Sequence, residues 1–521
     1  MSLQKPLKFR EYNVIRKNWR RAKLRIALCY PNIYKAGMTG LTVQQLYFLF
    51  NLDEEVLCER CFLTKPPRTL ESAADLRSFD VLAFTLQYEE DYINMVKMLI
   101  DAGINPLSDK RSEDDPLIIA GGQAISANPL PISRIVDCIF IGELEPRLYE
   151  VIDALKNSKS KRIKLRNLYD VDCMFFIGKS SVCRSTAKDL NSTPHILAQL
   201  TPGEKEAVLE PIFANAFYLE LSRSCNRKCN FCLLAWTNGP LRYRSLSNVR
   251  EILDEGLRRS LAKRVVLIGA GVFDVPWLKD VCKEILARGL DLSIPSLRPD
   301  VIDFELLNLM RDGNQRTLTL GVESFSDEVK KFLGKPYKSE ALEEVLKMAI
   351  DMGFSELKLY LITYAFKEEI REAQYFMSSV SNILSKSPLN IYISINPLIP
   401  KPNTPFQWLS YPNPNVIKEI YREYAKALKH PKTRLSFLNP HRAVFQALLS
   451  LSCEDISSIL IDLACKSRIT WSYATKRLLR KYRSIDEEPP WNIIDFGIDK
   501  GILRSRYYEA KRYIERQTSS L

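Results

Sequence analysis

The sequence predicts an α/β protein with a flavodoxin-like N-terminal domain, a partial (β/α)6 TIM-type barrel and a helical C-terminal region. Short apolar runs alternate with amphipathic helical stretches in two successive series, which is the pattern of parallel sheets covered by helices. The 521 residues exceed the size of a single hydrophobic core. Hydrophobic residues make up 46% and charged residues 26% of the chain, as in globular domains.

The first series lies in residues 24–155, after an N-terminal extension at residues 1–23. Five apolar runs predict a flavodoxin-like domain, in which ligands bind beyond the carboxyl ends of the strands. These strand candidates are 24–30, 56–63, 81–87, 116–122 and 138–142. Residues 156–212 are rich in Lys and Ser at first and lack long periodicity, which favours a linker with a small β-rich appendage.

The second series lies in residues 213–411 and contains six βα units, too few for a complete barrel. In barrels of this type the site lies at the C-terminal ends of the strands. The strand candidates are 217–221, 264–269, 290–295, 317–322, 356–362 and 390–397. Residues 412–521 are basic and helical in pattern, with a break at Pro489, Pro490 and Trp491.

Composition limits the class of protein further. No apolar run approaches the ~18 residues of a membrane span, and the basic N-terminus lacks the apolar core of a signal sequence. Twelve cysteines are too sparse for a disulfide scaffold in a chain of this length. We therefore expect a soluble, cytoplasmic protein. The net charge of +13 favours an anionic partner.

The strongest motif is a C-x3-C-x2-C cluster formed by Cys225, Cys229 and Cys232. It follows the first barrel strand directly, so three thiolates lie on one loop at a strand end. Thiolates are the ligands that iron–sulfur clusters prefer, and three of them can hold three irons of a 4Fe-4S cube while the fourth stays open. A zinc site or inert thiols are the alternatives, but zinc usually needs a fourth Cys or His nearby, and the three histidines are distant in sequence.

With Phe231 as its aromatic residue, this motif resembles the signature of the radical S-adenosylmethionine (SAM) superfamily. The resemblance implies that the open iron chelates SAM, with Phe231 beside it. Reduction by a flavodoxin- or ferredoxin-type electron donor then cleaves SAM to a 5′-deoxyadenosyl radical. The hard chemistry belongs to the cofactor, and the protein holds it and excludes water.

Later strand ends carry further residues that the resemblance assigns to SAM. Gly269 and Gly271 resemble the glycine-rich motif near the SAM amino group, although a simple tight turn would also need small residues. Ser296 and Arg298 resemble a Pro-Ser-Leu-Arg motif, in which the guanidinium could grip the SAM carboxylate and the hydroxyl a ribose oxygen. Glu323 resembles a strand-end glutamate that contacts a polar group of SAM. A structural ion pair or cap is the alternative for these three.

The resemblance narrows to a branch that includes the tRNA methylthiotransferases and an uncharacterised radical SAM family fused to an N-terminal cobalamin-binding-like domain. The fusion family is the closer match. The segments that carry it are residues 84–89, 115–122, 141–143, 240–245 and 395–408. The chain departs from this family at residues 362–366, where a Gly-Leu-Pro-rich turn is replaced.

Cobalamin binding by the first domain is an open alternative. Gly121 and Gly122 lie where a nucleotide tail would need close backbone approach, and Thr85 could supply a hydroxyl. No histidine occurs between residues 24 and 155, so the usual lower axial ligand is missing. Binding of cobalamin without such a ligand is known in radical SAM methylases, so the absence does not decide the question. The other interpretation is a degenerate domain kept for packing or substrate docking.

A methylthiotransferase would need a second cluster on three N-terminal cysteines. Cys58 and Cys61 are candidates, with Cys29 or Cys138 as the third. However, residues 56–62 have the pattern of a strand, whose alternation would aim Cys58 and Cys61 at opposite faces. We therefore favour buried thiols at these positions.

The sequence thus predicts a radical SAM enzyme that abstracts hydrogen from an unidentified substrate, with cobalamin-dependent methylation as one outcome. The alternatives are a methylthiotransferase-like RNA-modifying enzyme and a non-catalytic iron–sulfur protein that binds RNA or the ribosome. Basic stretches at 476–483 and 504–508, with Tyr513, favour RNA or another anionic or amphiphilic substrate, unless they are a solvated helix face. Lys358 and Tyr360 lie two residues apart on the fifth barrel strand, so they share one face and could point into the barrel.

Overall fold

The computed structural model describes residues 10–203, 215–453, 456–466, 470–478 and 485–519. The first domain is a six-stranded sheet with helices on both faces. In spatial order its strands are Val56–Phe62, Leu24–Tyr30, Val81–Thr85, Leu117–Gly121, Cys138–Phe140 and Met174–Phe175. The first five are parallel and follow the flavodoxin-like order 2-1-3-4-5, which confirms the predicted fold of this domain.

These strands are apolar because both faces of the sheet are buried under helices. The helices of this part are Tyr34–Met38, Thr42–Phe50, Asp91–Asp101, Gln123–Ala127, Leu148–Lys156 and Lys161–Tyr169. Short 3-10 turns occur at Leu76–Ser78, Ser108–Lys110, Leu130–Ile132 and Glu145–Arg147.

The region predicted as a linker begins with structure that belongs to the first sheet. Ser160 caps the helix Lys161–Tyr169 by accepting a hydrogen bond from Ile163, and the strand Met174–Phe175 pairs antiparallel with Cys138–Phe140. Further along, two short strands pair with distant parts of the chain. Val182–Cys183 pairs with Ile494–Asp495, and Thr201–Pro202 pairs with Glu11–Tyr12.

The second domain is a partial barrel of parallel strands, as predicted. Its strands are Ala216–Glu220, Arg264–Ile268, Asp291–Ser293, Thr317–Glu323, Glu356–Thr363, Asn390–Pro397 and Thr433–Phe437. These strands form one three-stranded and one four-stranded sheet, which meet at a parallel bridge between Leu297 and Leu320. Its helices are Leu233–Thr237, Leu246–Leu257, Leu278–Ala287, Phe304–Asp312, Asp327–Phe332, Glu340–Asp351, Lys367–Lys386 and Pro414–Ala427. A small hairpin, Ser222–Arg223 with Arg242–Tyr243, and 3-10 turns at Val272–Asp274, Pro299–Val301 and Pro405–Trp408 complete it.

The seventh strand was not predicted. Thr433–Phe437 pairs parallel with Asn390–Pro397 and lies inside the region expected to be helical. It is only five residues long and half-exposed, so it lacks the continuous apolar run that identified the other strands. The barrel therefore extends beyond the predicted boundary at residue 411.

The rest of the described C-terminal region is mainly helical, which agrees with the prediction. Its helices are Pro440–Ser450, Ser457–Cys465, Trp471–Leu478 and Lys500–Ser519, with a 3-10 turn at Pro490–Ile493. The first two cover one face of the first domain, including the helix Asp91–Asp101. The last packs on Pro405–Trp408 of the barrel. No described helix is long and apolar enough to cross a membrane.

Candidate active site

The three cysteines lie on the loop between the strand Ala216–Glu220 and the helix Leu233–Thr237. Cys229 is buried, and Cys225 and Cys232 are half-buried. The loop turns tightly because Ser224 and Lys228 adopt the left-handed region, with φ of 69° and 47°. All three thiols therefore lie at the carboxyl end of the first barrel strand.

The loop offers backbone donors to sulfur. The N–H of Arg227 donates to Sγ of Cys225 at 3.5 Å. Burial raises the pKa of the Cys232 thiol, although the N–H groups of Leu234 and Ala235 favour its thiolate. Among the described residues, no three His, Cys, Asp or Glu side chains are grouped as ligands of a single metal ion. Three thiols on one loop with N–H donors to sulfur fit the donor set of a 4Fe-4S cube, in which each sulfur binds a different iron.

Positive charge lies beside the most buried of the cysteines. Burial raises the pKa of Cys229 to about 12, and the nearby cations Lys335 and Arg298 oppose that rise. Iron must displace the proton from this thiol, and the cations stabilise the resulting negative charge.

Contacts from three parts of the chain hold the loop. The Trp236 indole donates to the carbonyl of Cys229 at 2.9 Å, and the Asn230 amide donates to the carbonyl of Phe332 at 2.9 Å. From the C-terminal helix, Arg506 donates to the carbonyl of Lys228 at 2.6 Å. Sequence reasoning missed the contact of Arg506, which it grouped with the basic stretch expected to meet an anionic substrate.

Two of the three tyrosines grouped with that stretch also pack within the protein. Tyr513 is buried among aromatic side chains that include Phe332 and Phe366, and the ring of Tyr507 contacts Trp408. Tyr508 remains exposed. Of the other stretch, residues 479–483 lie outside the described part of the chain.

Gly269 and Gly271 bring the end of the second barrel strand against the cysteine loop. A Cβ at Gly269 would lie 2.4 Å from Oγ of Ser222, and one at Gly271 would lie 3.0 Å from the carbonyl of Ser224. Both serine hydroxyls are buried without a hydrogen-bond partner among the described residues. This tight approach leaves two unsatisfied hydroxyls beside the predicted cluster site.

Arg298 is held by the protein on one edge. Its Nε and Nη2 donate to the two carboxylate oxygens of Asp300, each at 2.8 Å, and its guanidinium lies 5.6 Å from the ring centroid of Tyr337. The two-pronged edge expected to grip the SAM carboxylate is thus occupied by Asp300 in this structure. Ser296, two residues earlier, is exposed.

Glu323 occupies a strained position at a strand irregularity. Its φ is 63°, the register shifts between Gly321 and Glu323, and Lys335 donates to its Oε1 at 2.9 Å. Non-glycine residues in this conformation are held by their surroundings and cluster at functional sites. Phe231 does not project freely, because it packs on an apolar cluster that contains Phe332 and Phe406.

A cavity of about 780 Å³ lies between the two domains. Carboxyl ends of strands from both sheets line it. The lining includes every predicted cobalamin contact and several neighbours of the cysteine loop: Thr85, Gly121, Gly122, Ser222, Ser224, Gly269 and Pro295. The structure thus brings the predicted cobalamin residues and part of the predicted SAM site to one cavity.

Gly122 is fixed by its backbone. Its φ is 118°, and a Cβ there would lie 2.5 Å from the carbonyl oxygen of Leu86. Gly121 has more room, since its Cβ would find nothing closer than 3.6 Å. The Thr85 hydroxyl accepts a hydrogen bond from Gln87 at 2.9 Å.

The cavity continues into the first domain as an apolar crevice. One side is the sheet face that carries Ile26, Leu28 and Ile119, and the other side includes Leu46 and Leu49 of the helix Thr42–Phe50. Apolar space of this kind, beside a few polar groups at its mouth, is typical of cofactor and ligand pockets.

An ionic rim ties the two domains together at the mouth of the cavity. Arg223 of the barrel donates to Glu143 at 2.9 Å and to Glu145 at 2.7 Å, and Arg242 pairs with Glu143 at 2.8 Å. Glu143 and Arg242 both belong to segments that the sequence had singled out, but their pairing could not be predicted, since they lie 99 residues apart.

The remaining cysteines of the first domain belong to its core. Cys58 packs on one face of the sheet and Cys61 on the other, as the alternation predicted. Cys29 shares the face of Cys61, and Cys138 that of Cys58. These four thiols are buried and divided between two faces, which does not suit the ligands of one cluster.

Comparisons with known proteins agree with these observations. Residues 42–175 match the family of radical SAM proteins, N-terminal, and residues 219–378 match the radical SAM superfamily. An uncharacterised protein of Methanocaldococcus jannaschii is 26% identical over 457 residues, which is 88% of this chain and 95% of that protein. A putative methylthiotransferase of the same organism is 26% identical over 164 residues, which is 29% of this chain and only 36% of that protein.

Among solved structures, the radical SAM methyltransferase TsrM from Kitasatospora setae, with tryptophan substrate and a SAM analogue bound, aligns with a TM-score of 0.49. The two are 11% identical, and the alignment covers 73% of this chain and 74% of that chain.

Proposed function

Because this chain belongs to the radical SAM superfamily, we propose that it cleaves SAM reductively and uses the product to abstract hydrogen from a substrate. Cys225, Cys229 and Cys232 hold the 4Fe-4S cluster in this proposal. The cluster, when bound and reduced, supplies the electron that generates a 5′-deoxyadenosyl radical from SAM. The observation that carries the proposal is the single loop with three thiols, backbone donors to sulfur and adjacent cations.

The chain's own residues bind and orient SAM beside that loop. Gly269 and Gly271 let the SAM amino group approach the backbone, and Ser296 offers a ribose contact from the third strand end. Arg298 presents to the SAM carboxylate the part of its guanidinium that Asp300 leaves free. Glu323 and Phe231 are each assigned a further contact with SAM. The packed glycines also exclude water from the base of the loop.

The interdomain cavity is assigned to cobalamin, with Thr85, Gly121 and Gly122 at its mouth. Cobalamin, when bound, supplies a methyl carrier, so the overall reaction in this proposal is methylation at an unactivated position. The supporting observation is a cavity of about 780 Å³ that opens both to the flavodoxin-like strand ends and to the cysteine loop. The apolar crevice takes the nucleotide tail in this proposal. No histidine of this domain is available as a lower ligand.

The proposal also concerns partners and location. The electron donor is a flavodoxin- or ferredoxin-type protein, and the substrate is RNA or another anionic molecule. Thiolate-held clusters need a reducing compartment, so we place the protein in the cytoplasm.

The test is an anaerobic incubation of cluster-loaded protein with dithionite and SAM, followed by quantification of 5′-deoxyadenosine. The parent should form it, and Cys229→Ala should not. An intact cluster that yields no 5′-deoxyadenosine would leave the non-catalytic binding protein as the better interpretation.

Cobalamin is tested separately by expression with hydroxocobalamin and measurement of the cobalt content and visible spectrum of the purified protein. About one cobalt per chain is expected, because the proposal assigns one cobalamin to the cavity between the domains. If the protein stays free of cobalt under several loading conditions, the first domain does not bind cobalamin and serves as a scaffold.

A further inference from the structure

The inner face of the last three barrel strands carries polar side chains that the proposed function does not use. On these strands Leu359, Ile393 and Leu435 pack toward the helices. Because side chains alternate along a strand, the residues between them face the inside of the barrel. The residues on this inner face include Lys358, Tyr360, Tyr392, Ser394, Arg434 and Ser436.

Strand register places these side chains in two rows. Lys358 pairs with Tyr392, and Tyr392 pairs with Arg434, so one row runs from cation to phenol to cation. The next row toward the strand ends is Tyr360, Ser394 and Ser436. Neighbouring strands lie about 4.8 Å apart, so the backbones at Lys358 and Arg434 are about 10 Å apart, with Tyr392 between them.

The first row keeps free hydrogen-bonding capacity. Within the described part of the chain, the side chains of Tyr392 and Arg434 make no hydrogen bond or ion pair. Arg434 is exposed, and Tyr392 is half-buried. Lys358 has one ion pair, to Glu356 at 3.3 Å, in which both side chains are more than a third exposed. A carboxylate in solvent neutralises Lys358 only weakly.

The other half of the barrel shows the contrast. There the inner face is covered at the level of Tyr218 and Val266, which pack against Leu41 and Ile196 from outside the barrel. The row of Lys358, Tyr392 and Arg434 therefore belongs to a polar part of the inner wall that stays open, and within that part it is the row that carries two cations.

We propose that Lys358, Tyr392 and Arg434 form an anion site that binds a carboxylate or phosphate group of the substrate. This inference rests on the proposed function and names the chemistry of its substrate. Arg434 supplies a planar pair of donors, Lys358 a point charge and Tyr392 a phenolic donor between them. The three side chains together suit an anionic oxygen group rather than a neutral one.

The position of the site sets a length for the substrate. Glu323, in the proposed SAM site, pairs in register with Leu361, three residues beyond Lys358. At about 3.3 Å per residue, the anion row lies about 10 Å from the SAM edge of the barrel. The substrate should therefore carry its anionic group roughly 10 Å from the carbon that reacts, with Tyr360 and Ser394 along the intervening wall.

The test uses cluster-loaded protein saturated with SAM, so that the SAM carboxylate occupies its own site. Pyrophosphate and succinate are titrated separately by calorimetry, which distinguishes a phosphate from a carboxylate preference. At least one should bind saturably. Arg434→Gln and Lys358→Gln should each weaken that binding by about tenfold, as expected for a charge-assisted hydrogen bond. Arg434→Lys should recover part of the loss.

Two further variants make the result specific. Glu356→Gln should strengthen anion binding severalfold, because it removes the carboxylate that competes for Lys358. Arg258→Gln, on the outside of the barrel with its side chain 71% exposed, should leave the affinity unchanged. Since the inner-wall side chains are exposed or half-buried, circular dichroism should show all variants folded.

Two results would overturn the anion site: failure of the parent to bind either probe, or equal losses in Arg258→Gln and Arg434→Gln. Formation of 5′-deoxyadenosine by the parent is measured alongside. A parent that forms 5′-deoxyadenosine but binds neither probe disproves this inference alone. A parent that forms none disproves the proposed function whatever the probes do.

Discussion

Lys401 Nζ lies 2.5 Å from Oε1 of Glu89, in a buried pair that joins the barrel to the first domain. Ser450 and Gln446 of the C-terminal region also donate to Glu89, at 2.6 Å and 3.0 Å. Three parts of the chain thus meet at one carboxylate. Both charged residues lie in segments that carried the resemblance to the fusion family, and the structure places them away from the cysteine loop, at this junction.

Glu89→Gln should destabilise the protein substantially. It leaves the Lys401 ammonium in a largely buried site without its counter-charge, which typically costs about 3–5 kcal/mol. Thermal unfolding should show a clearly lowered midpoint. Glu423→Gln is the matched control, because Glu423 pairs with Lys426 where both side chains are well exposed, and it should change the midpoint little. Equal midpoints for the two variants would refute the role of the junction.

The same pair predicts a pH dependence. Burial opposes ionisation of Glu89, but Lys401 and the hydrogen bonds of Ser450 and Gln446 outweigh it and lower the pKa below its ordinary value. A lowered pKa gives stability that is present above the unfolded value, about 4.3, and lost as pH falls through the folded value. The difference in midpoint between parent and Glu89→Gln should therefore be constant near neutral pH and shrink below pH ~4.

Two adjacent glycines should respond differently to alanine. Gly122→Ala forces a Cβ to 2.5 Å from the Leu86 carbonyl at a φ of 118°. It should cost about 1–3 kcal/mol and impair cobalamin loading, because the strained turn lies at the mouth of the cavity. Gly121→Ala meets no protein atom closer than 3.6 Å and should leave the melting midpoint unchanged. The melting midpoint measures the loss of stability, and the cobalt content measures cobalamin loading. Equal melting midpoints for the two variants would contradict the prediction.

Much of the fold could be predicted because buried parallel strands are apolar runs whose period differs from that of the helices. Thr433–Phe437 escaped prediction because it is short, carries an exposed arginine and follows a helical segment. The helix Lys161–Tyr169 was read as linker because its composition is polar, although its Leu168 is fully buried against the first domain.

Part of the candidate site could likewise be predicted from the sequence, and part could not. Cys225, Cys229 and Cys232 are adjacent in sequence, so their spacing alone indicated the cluster. The contact of Arg506 with Lys228 joins residues 278 positions apart and leaves no local pattern. Asp300, by contrast, lies two residues from Arg298, and the sequence could have shown that an acid was available to occupy it.

The cluster ligands are tested by substitution. Cys225→Ala, Cys229→Ala or Cys232→Ala should each abolish the broad visible absorbance of the reconstituted cluster and lower iron well below about four per chain. The double variant Cys58→Ala and Cys61→Ala should keep both, since those thiols point to opposite faces of the first sheet. Loss of iron in the double variant would show that a second cluster had been overlooked.

Arg298→Lys should weaken SAM binding by about tenfold, or 1.4 kcal/mol, although charge is conserved. An ammonium cannot hold both oxygens of Asp300 and still face SAM, and it also loses the planar contact with Tyr337. Equilibrium dialysis with the oxidised, cluster-loaded protein measures the affinity. Arg288→Lys on the outer helices is the control, and iron content should stay unchanged in both. An affinity equal to that of the parent would remove Arg298 from the SAM site.

Arg506→Gln should make the cluster easier to lose. Arg506 reaches from the C-terminal helix to the Lys228 carbonyl at 2.6 Å, and its guanidinium lies 5.3 Å from the ring centroid of Trp236. Lys228 has a φ of 47°, a conformation that costs about 1–3 kcal/mol and persists only when neighbours hold it. Without the guanidinium the loop should open more often, so a ferrous chelator should remove iron severalfold faster under anaerobic conditions.

Arg512→Gln, exposed on the same helix, should release iron at the parental rate. Arg506→Lys should fall between, since it keeps a donor but loses the planar stacking on Trp236. Identical rates in Arg506→Gln and Arg512→Gln would mean that the C-terminal helix covers the cysteine loop without stabilising it.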